Sequence, residues 1–387
     1  MRVLLLDHSQ YITGGLPKTI EVAESLAARG HNVTLMATSR TRRARLERLQ
    51  RNGVRVIVAP SLLWGRYRNG ADLWDAFRRT LAVRSADFDL VHAYDCRPTV
   101  ILPALFLTFR RKLPLVLDWD DLFSAEGTIA ERSGAFYHRT LGRLEAAADV
   151  YFRRFADAHI VVSRLLEEKL LAMGVAPTRI LRNHYGSRFA SRPVPSRSEA
   201  RARINLPADR FVIGYAGNIF PADEQLLLRV IRGLPERVRD RAALLVVGTP
   251  LSEARSDWGM PLIRTERLPD EAFFLHLAAA DVLILPCRTT PANRARWPSK
   301  FTDYCAAGRP VISTPVGDLP DLFERQPIGI LTDDDSASRL ARAVVDIHDH
   351  PERARRMGEE AKRFARREFD LASMAARIEA FYLQTLG

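Results

Sequence analysis

The stretch WPSKFTDYCAAGRPVIST, Trp297 to Thr314, combines residue types that handle phosphate and ribose. Pro298 fits the first turn of a helix, where its missing N–H costs nothing. Lys300 and Asp303 are three apart and share a helix face. Gly308 stops that helix, and Pro310-Val311-Ile312 begins a strand. A helix N-terminus attracts phosphate through its free N–H groups and dipole. A lysine in the first turn adds charge, and a carboxylate one turn on accepts ribose hydroxyls. The same letters also suit a plain helix with one surface ion pair.

A second constellation is Asp118-Trp119-Asp120-Asp121, which follows the apolar strand Leu115 to Leu117. An aspartate there accepts a hydroxyl hydrogen bond or acts as a base. The letters also match a D-x-D motif for a divalent ion on a diphosphate, or a strand-end loop capping the next helix. His92, read as ending a strand, is a candidate for sugar or acceptor contact, or a hydrogen-bonded histidine at a cleft edge. His348 and His350 make no metal-ligand spacing, and Asp333-Asp334-Asp335 reads as a solvated turn. Leu62 to Arg84 mixes arginine with aromatics: Trp64, Arg66, Tyr67, Arg68, Trp74, Phe77, Arg78 and Arg79. That suits an anionic membrane surface or lipid-linked acceptor; it also suits an amphipathic helix with arginine on its wet side.

These groups need strands and helices to hold them. Arg2 to Asp7 reads as a buried strand, followed by a loop with Gly14-Gly15 and a helix through Ile20, Ala23 and Leu26 that stops at Gly30. Strands at Asn32 to Ala37, Arg55 to Ala59, Asp89 to Ala93 and Leu115 to Asp118 continue the series. Pro193 to Arg203 reads as a linker, and the pattern restarts at Phe211 to Ala216, with Gly217 after it. Alternating strands and helices imply an α/β chain with two doubly wound parallel sheets. The expected domains are 1–195 and 200–367, with a helix over 368–387 packing back on the first. Ligands of such sheets bind at strand carboxyl ends, so loops after Asp7, His92, Asp118, Gly217, Gly248 and Cys287 are expected to line a central cleft. Neither Gly14-Gly15 nor Gly217 belongs to a G-x-G-x-x-G fingerprint, which disfavours a nicotinamide enzyme.

The 387 residues suffice for two domains, and 47% hydrophobic with 27% charged content is that of a globular protein. Cys96, Cys287 and Cys305 form no C-x-x-C pair, so neither a zinc knuckle nor a disulfide framework is suggested. The start MRVLLLDHSQ lacks the apolar region of a signal peptide, and the longest apolar run is about half a membrane span. A cytoplasmic protein is expected, peripheral at the inner face of the plasma membrane if it meets lipid. The net charge of +12 favours an anionic partner. No nucleic-acid motif accompanies that charge, so nucleic acid is not the expected one.

The run Pro298, Lys300, Asp303, Tyr304, Ala306, Gly308, Pro310, Val311, Ile312 resembles the P-x-K-x-x-E-Y-x-A-x-G-x-P-V-I signature of the GT-B retaining glycosyltransferases called family 4. Weaker motifs follow the family in order, among them Gly30-His31-Asn32-Val33, Asn183 with Gly186, Val247-Gly248, Leu268-Pro269-Asp270 and Ala280-Asp281-Val282. The resemblance implies a GT-B fold of two Rossmann-like domains facing a central cleft. It puts Asp303 on the donor ribose, Lys300 on the donor-phosphate side, and Gly14-Gly15 against the donor phosphate or acceptor. Leu268 falls where the nucleobase rests. Asp120 aligns with a histidine beside the transferring sugar. The sequence also departs from the pattern. An Arg and a Lys that grip the diphosphate are replaced by Asn218 and Asp223, and a sugar-binding Glu by Ala295. An aspartate beside a diphosphate is repulsive unless it points away. Arg294, Arg296 and Lys300 are candidates to restore the charge.

The resemblance therefore implies transfer of a sugar from a UDP- or GDP-sugar to an acceptor hydroxyl with retention, in cell-envelope polysaccharide, glycolipid or secondary-metabolite glycosylation. Asp118, Asp120 and His92 are the catalytic candidates, and no cofactor or divalent metal is expected. The three substitutions leave a second expectation, a GT-B protein without catalysis that serves as a binding or scaffold partner.

Overall fold

In a computed structural model of the chain, residues 1–11, 16–41, 44–63, 70–124, 126–129, 131, 141–248, 251 and 257–387 are described. They form two compact units, Met1–His184 with Leu371–Gly387, and Tyr185–Asp370.

The first unit runs β1 (Arg2–Gln10), α1 (Leu16–Ala28), β2 (Asn32–Thr38), β3 (Glu47–Arg51), β4 (Val54–Ala59), α2 (Leu73–Val83), β5 (Leu90–Tyr94), α3 (Pro98–Arg111), β6 (Leu115–Trp119), α4 (Leu141–Arg153), β7 (Ala158–Val161), α5 (Arg164–Ala172) and β8 (Ile180–Arg182). Its sheet order is β3-β4-β2-β1-β5-β6-β7-β8. Among the described residues only the β3–β4 pair of this sheet is antiparallel. Val3 to Leu6 are apolar on both faces because helices cover both sides of a central parallel strand. The chain moves left of β1 to β2 and β4, then crosses to β5. The gap between β1 and β5 is therefore the switch point where open sheets bind ligands.

The second unit runs α6 (Arg197–Arg203), β9 (Phe211–Ala216), α7 (Pro221–Arg232), α8 (Glu236–Arg239), β10 (Ala242–Val247), β11 (Leu262–Thr265), α9 (Asp270–Ala279), β12 (Val282–Leu285), α10 (Pro291–Ala295), α11 (Ser299–Ala306), β13 (Val311–Ser313), α12 (Leu319–Arg325), β14 (Gly329–Leu331), α13 (Ala337–Asp349) and α14 (Pro351–Glu368). Its six strands are all parallel, in the order β11-β10-β9-β12-β13-β14, with the switch between β9 and β12.

A last helix, α15 (Leu371–Leu386), belongs to the first unit. Its Met374, Ile378, Phe381 and Tyr382 enter the same core as Leu16, Ile20 and Ala23 of α1. Glu379 fastens it by accepting from Arg29 Nε at 2.6 Å and lying 2.7 Å from His31 Nε2.

Helix α2 departs from the usual amphipathic plan. Its buried residues are Asp75, Ala76, Arg79 and Val83, while Leu73, Trp74, Phe77 and Leu81 are exposed. Asp72 caps its start by accepting from the N–H groups of Trp74 and Asp75. The Arg79 guanidinium, fully buried, donates to Asp75 Oδ1, to the Asp7 carbonyl at 2.7 Å and to Thr38 Oγ1 at 2.8 Å. It thereby ties the carboxyl ends of β1 and β2 to the helix. The arginine turns inward because those strand ends leave acceptors that an aliphatic side chain cannot satisfy. Trp64, Arg66, Tyr67 and Arg68 lie outside the described residues. No helix among the described residues is long and apolar enough to cross a membrane.

Breaking the buried pair strands a carboxylate. Arg79→Met is expected to lose about 3–5 kcal/mol in urea denaturation. The double change Arg79→Met with Asp75→Leu is expected to regain only the part due to the uncompensated charge, because the Asp7 carbonyl and the Thr38 hydroxyl still lose their buried partners.

Candidate functional site

In the first unit the parallel register sets the site. Asp7 of β1 pairs with Tyr94 of β5, which pairs with Asp118 of β6, so the three stand in one row across the carboxyl ends of adjacent strands. A pocket of about 170 Å³ opens there, lined by Asp7, His8, Tyr94, Asp95, Asp118 and Asp120, with Arg97 and Arg153 at its side. Asp7 is fixed by Ser9 N–H at 2.7 Å and by the Thr19 hydroxyl. Asp95 adopts φ +88, a left-handed conformation that costs a non-glycine residue strain. Its carboxylate accepts from Cys96 N–H and faces Arg97 Nε at 3.0 Å, which holds it there.

Burial raises the Asp118 pKa to about 6, with Asp120 and the Arg153 cation acting the other way. Arg153 is itself buried. It donates to the Asp118 carbonyl at 3.1 Å and to Asp149 at 2.7 Å, and its guanidinium lies 4.0 Å from the Trp119 ring centroid. Burial and the Arg97 cation lower the His8 pKa to about 3. The pocket thus presents carboxylate acceptors suited to hydroxyl groups, one of them poised to change protonation near pH 6.

His92 is not at a strand end. It lies two residues before Tyr94 inside β5 and is fully buried, because residues i and i+2 of a strand share a face. The ring stacks beneath Tyr94 at 4.3 Å, lies 2.6 Å from the Tyr382 hydroxyl through Nδ1, and comes 3.4 Å from Asp118 Oδ2 through Nε2. It therefore touches the pocket through two of its lining residues, Tyr94 and Asp118. Gly14 and Gly15 lie outside the described residues.

In the second unit the carboxyl edge gathers Gly217, Asn218 and Lys300. Gly217 turns the chain after β9 at φ +80, and a Cβ there would meet Lys300 Cε at 3.0 Å. Lys300 Nζ donates to the Tyr215 hydroxyl at 2.6 Å and to the Asn218 carbonyl. Burial lowers the lysine pKa from its usual value. Tyr304, one turn on in α11, receives the Ala216 N–H at 2.8 Å and locks α11 to β9. Asp303 accepts the Ser187 hydroxyl at 2.6 Å. Leu268 is half-buried in the turn before α9. Arg296 stacks over Phe220 at 5.6 Å and donates to Asn293; Arg294 is exposed on α10.

Asp223 turns its carboxylate onto the loop after β12, accepting Arg288 N–H at 2.8 Å. Its charge therefore braces that loop, as Asp335 does by accepting Thr289 N–H at 2.9 Å. Ala295 is fully buried.

Some site residues carried no motif. Asp7, Asp95 and Arg97 could be found from strand ends. Tyr382, Tyr215 and Ser187 had no sequence signal that pairs them with His92, Lys300 and Asp303.

Two parallel-sheet Rossmann-like units of this kind define the GT-B architecture. Residues 13–186 match the family described as "Glycosyl transferase 4-like domain", and residues 210–350 the family described as "Glycosyl transferases group 1". The chain belongs to the GT-B glycosyltransferases of the family 4 type. It is 30% identical over 200 residues to a GDP-mannose-dependent alpha-(1-6)-phosphatidylinositol monomannoside mannosyltransferase of Mycolicibacterium smegmatis. That match spans 49% of this chain and 52% of the relative. The chain thus spans about half the length of the curated relatives it matches. Sucrose-phosphate synthase from Thermosynechococcus elongatus has the same fold, with TM-score 0.79 and 19% identity over 99% of each chain. Anabaena Alr3699/HepE, solved with UDP and glucose, gives TM-score 0.74 and 16% identity over 99% of each chain.

The buried histidines impose a pH dependence. Burial lowers His92 from 6.5 to about 3, so between those values the unfolded chain binds a proton that the folded chain refuses. Stability from His92 is complete above 6.5 and is lost as pH falls, by about 1.4 kcal/mol per pH unit. Asp118, raised to about 6, works in the opposite sense between about 4 and 6. His92→Gln is therefore expected to change the slope of stability against pH by about 1.4 kcal/mol per unit between pH 4 and 6.5, in favour of acid stability, measured by denaturation at stepped pH.

Proposed function

We propose that this chain transfers a sugar from a nucleotide-sugar donor to an acceptor hydroxyl, with retention of configuration. The observation that carries the reading is Lys300, held beside a side-chain-free turn at Gly217 on the carboxyl edge of the second sheet. That is where a diphosphate approaches a backbone and meets a fixed cation. Asp303 one turn along α11 offers a carboxylate to ribose hydroxyls, and Arg296 supplies further charge. Asp223 is engaged by Arg288 N–H, and its negative charge still reaches Lys300, which offsets it. UDP and GDP are the expected donor nucleotides; one relative is named for GDP-mannose, and one neighbour was solved with UDP.

In the proposed step the bond from the sugar's anomeric carbon to the diphosphate breaks, and the acceptor oxygen bonds to that carbon on the same face. The acceptor proton passes to a phosphate oxygen of the departing diphosphate. Lys300 stabilises the charge that develops there. The Asp118–Asp120 pair accepts hydrogen bonds from sugar or acceptor hydroxyls, and His92, neutral and held by Tyr382, keeps Asp118 in place. A thermal-shift screen with UDP-, GDP-, ADP- and dTDP-sugars, followed by an assay of nucleoside diphosphate release, tests the activity. No stabilisation and no release with any donor would favour the scaffold alternative.

Lys300→Ala is expected to raise the donor KM about tenfold or more. Asp118→Asn is expected to lower kcat by about a hundredfold with donor KM little changed. Ionised Asp118 is the accepting form, so kcat/KM of the unaltered chain is expected to fall as pH drops through about 6, and Asp118→Asn to abolish that inflection.

The acceptor is proposed to be lipid-linked. Trp74, Phe77 and Leu81 of α2 and Phe106 and Phe109 of α3, a helix packed on α2, are exposed apolar residues, with Arg78, Arg110 and Arg111 on the same helices. Aromatic anchors with arginine suit an anionic bilayer surface. Phe77→Ser with Phe109→Ser is expected to cut co-sedimentation with anionic vesicles several-fold while transfer to a soluble acceptor persists.

A further inference from the structure

The amino edge of the second sheet carries an open cavity of about 790 Å³. It lies at the starts of β9, β12 and β13, against α13 and α14, so Gly217 and Lys300 are at the opposite ends of the strands. Three guanidinium groups, Arg197, Arg201 and Arg309, converge there around one carboxylate, Asp281. Arg197 and Arg201 each pair with one Asp281 oxygen. Asp281 also accepts Val212 N–H at 2.6 Å.

The three arginines are not equally satisfied. Arg201 is tied to the carbonyls of Ala279, Ala208 and Arg210, each at 2.9 Å, and serves the fold. Arg309 donates from Nη2 to the Ala278 carbonyl, but its Nε is buried with no hydrogen-bond partner. Burial lowers the Arg309 pKa to about 10, and the neighbouring Arg197 and Arg201 push the same way. A buried donor without a partner costs free energy, and Arg197, Arg201 and Arg309 gather at Asp281 while Asp209 is a further carboxylate of the lining. Arg210, Arg241 and Lys362 add to the positive lining, while Arg355 is already paired with Glu352 and Glu359.

The loop that carries Arg309 is held in place. Gly308 sits at φ +66, and Gly358 of α14 packs so closely that a Cβ there would come 2.5 Å from the Gly308 carbonyl. The cation is thus presented by a fixed backbone rather than a loose side-chain cluster.

We propose that this cavity is a second anion site, which binds a phosphate-bearing ligand through Arg309 and Arg197. Several oxygens on one centre answer the excess guanidinium charge of the lining, which the forked geometry of arginine favours. A soluble polyphosphate and a phospholipid headgroup share this chemistry.

Isothermal titration of the full chain with pyrophosphate at low ionic strength tests the site. It is paired with sedimentation on phosphatidylinositol phosphate vesicles against phosphatidylcholine vesicles. Lys300→Ala serves as the background, to remove binding at the other edge. On it, Arg309→Gln is expected to weaken ligand binding about tenfold, and Arg197→Glu, a half-exposed change that spares the core, to weaken it at least as much. Pyrophosphate binding lost in these variants identifies a soluble ligand. Vesicle binding lost in them, with no pyrophosphate binding, identifies a lipid headgroup. Binding of both probes unchanged by Arg197→Glu and Arg309→Gln, or no binding of either, overturns the proposal.

Discussion

The register of three parallel strands governs the chemistry of the first unit. Asp7, Tyr94 and Asp118 stand in line because β1, β5 and β6 are hydrogen-bonded in one alignment at their carboxyl ends. A slip of one residue would turn one of them to the other face of the sheet. The alignment is enforced by apolar residues below it, Leu4, Leu6, Val91, Ala93, Leu115 and Leu117, which must all point into one core. Below Tyr94 the same alternation places His92, so a ring buried for packing supports the carboxylate above it. The acidic row is thus a product of how the core packs.

The two units handle charge in opposite ways at their carboxyl edges. The first collects carboxylates and raises the pKa of one of them by burial. The second buries a cation and surrounds it with neutral oxygens from Tyr215 and Asn218. Each arrangement holds a charge out of water and offsets the cost with hydrogen bonds from its neighbours. Asp223 shows how a charge of the wrong sign is accommodated: its carboxylate is turned onto a backbone N–H and braces the loop after β12.

Local chemistry carried far in the sequence. The glycine that ends α11, the strand after it and the lysine on its first turn were all readable from Pro298 to Ile312, because caps and propensities act over a few residues. What was not readable depended on long-range partners. Nothing local tells that Arg79 turns inward, since its acceptors are Thr38 and the Asp7 carbonyl, far away in sequence; the apolar face of α2 is exposed for the same reason. His92 was misplaced by two residues along its strand, and Tyr382, its partner, lies 290 positions later. Asp303 could be read as facing solvent, yet it accepts the hydroxyl of Ser187 from the segment that enters the second unit.

The assignment of α15 to the first unit has a temporal meaning. A chain made from its amino end normally folds its first unit first. Here the core around Leu16 and Ile20 remains open until Met374, Ile378, Phe381 and Tyr382 have been synthesised. By then the whole of Tyr185–Asp370 has emerged and can close its own sheet. The first unit therefore draws its last helix from chain synthesised after the second unit, and the His92 contact to the Tyr382 hydroxyl forms only after that.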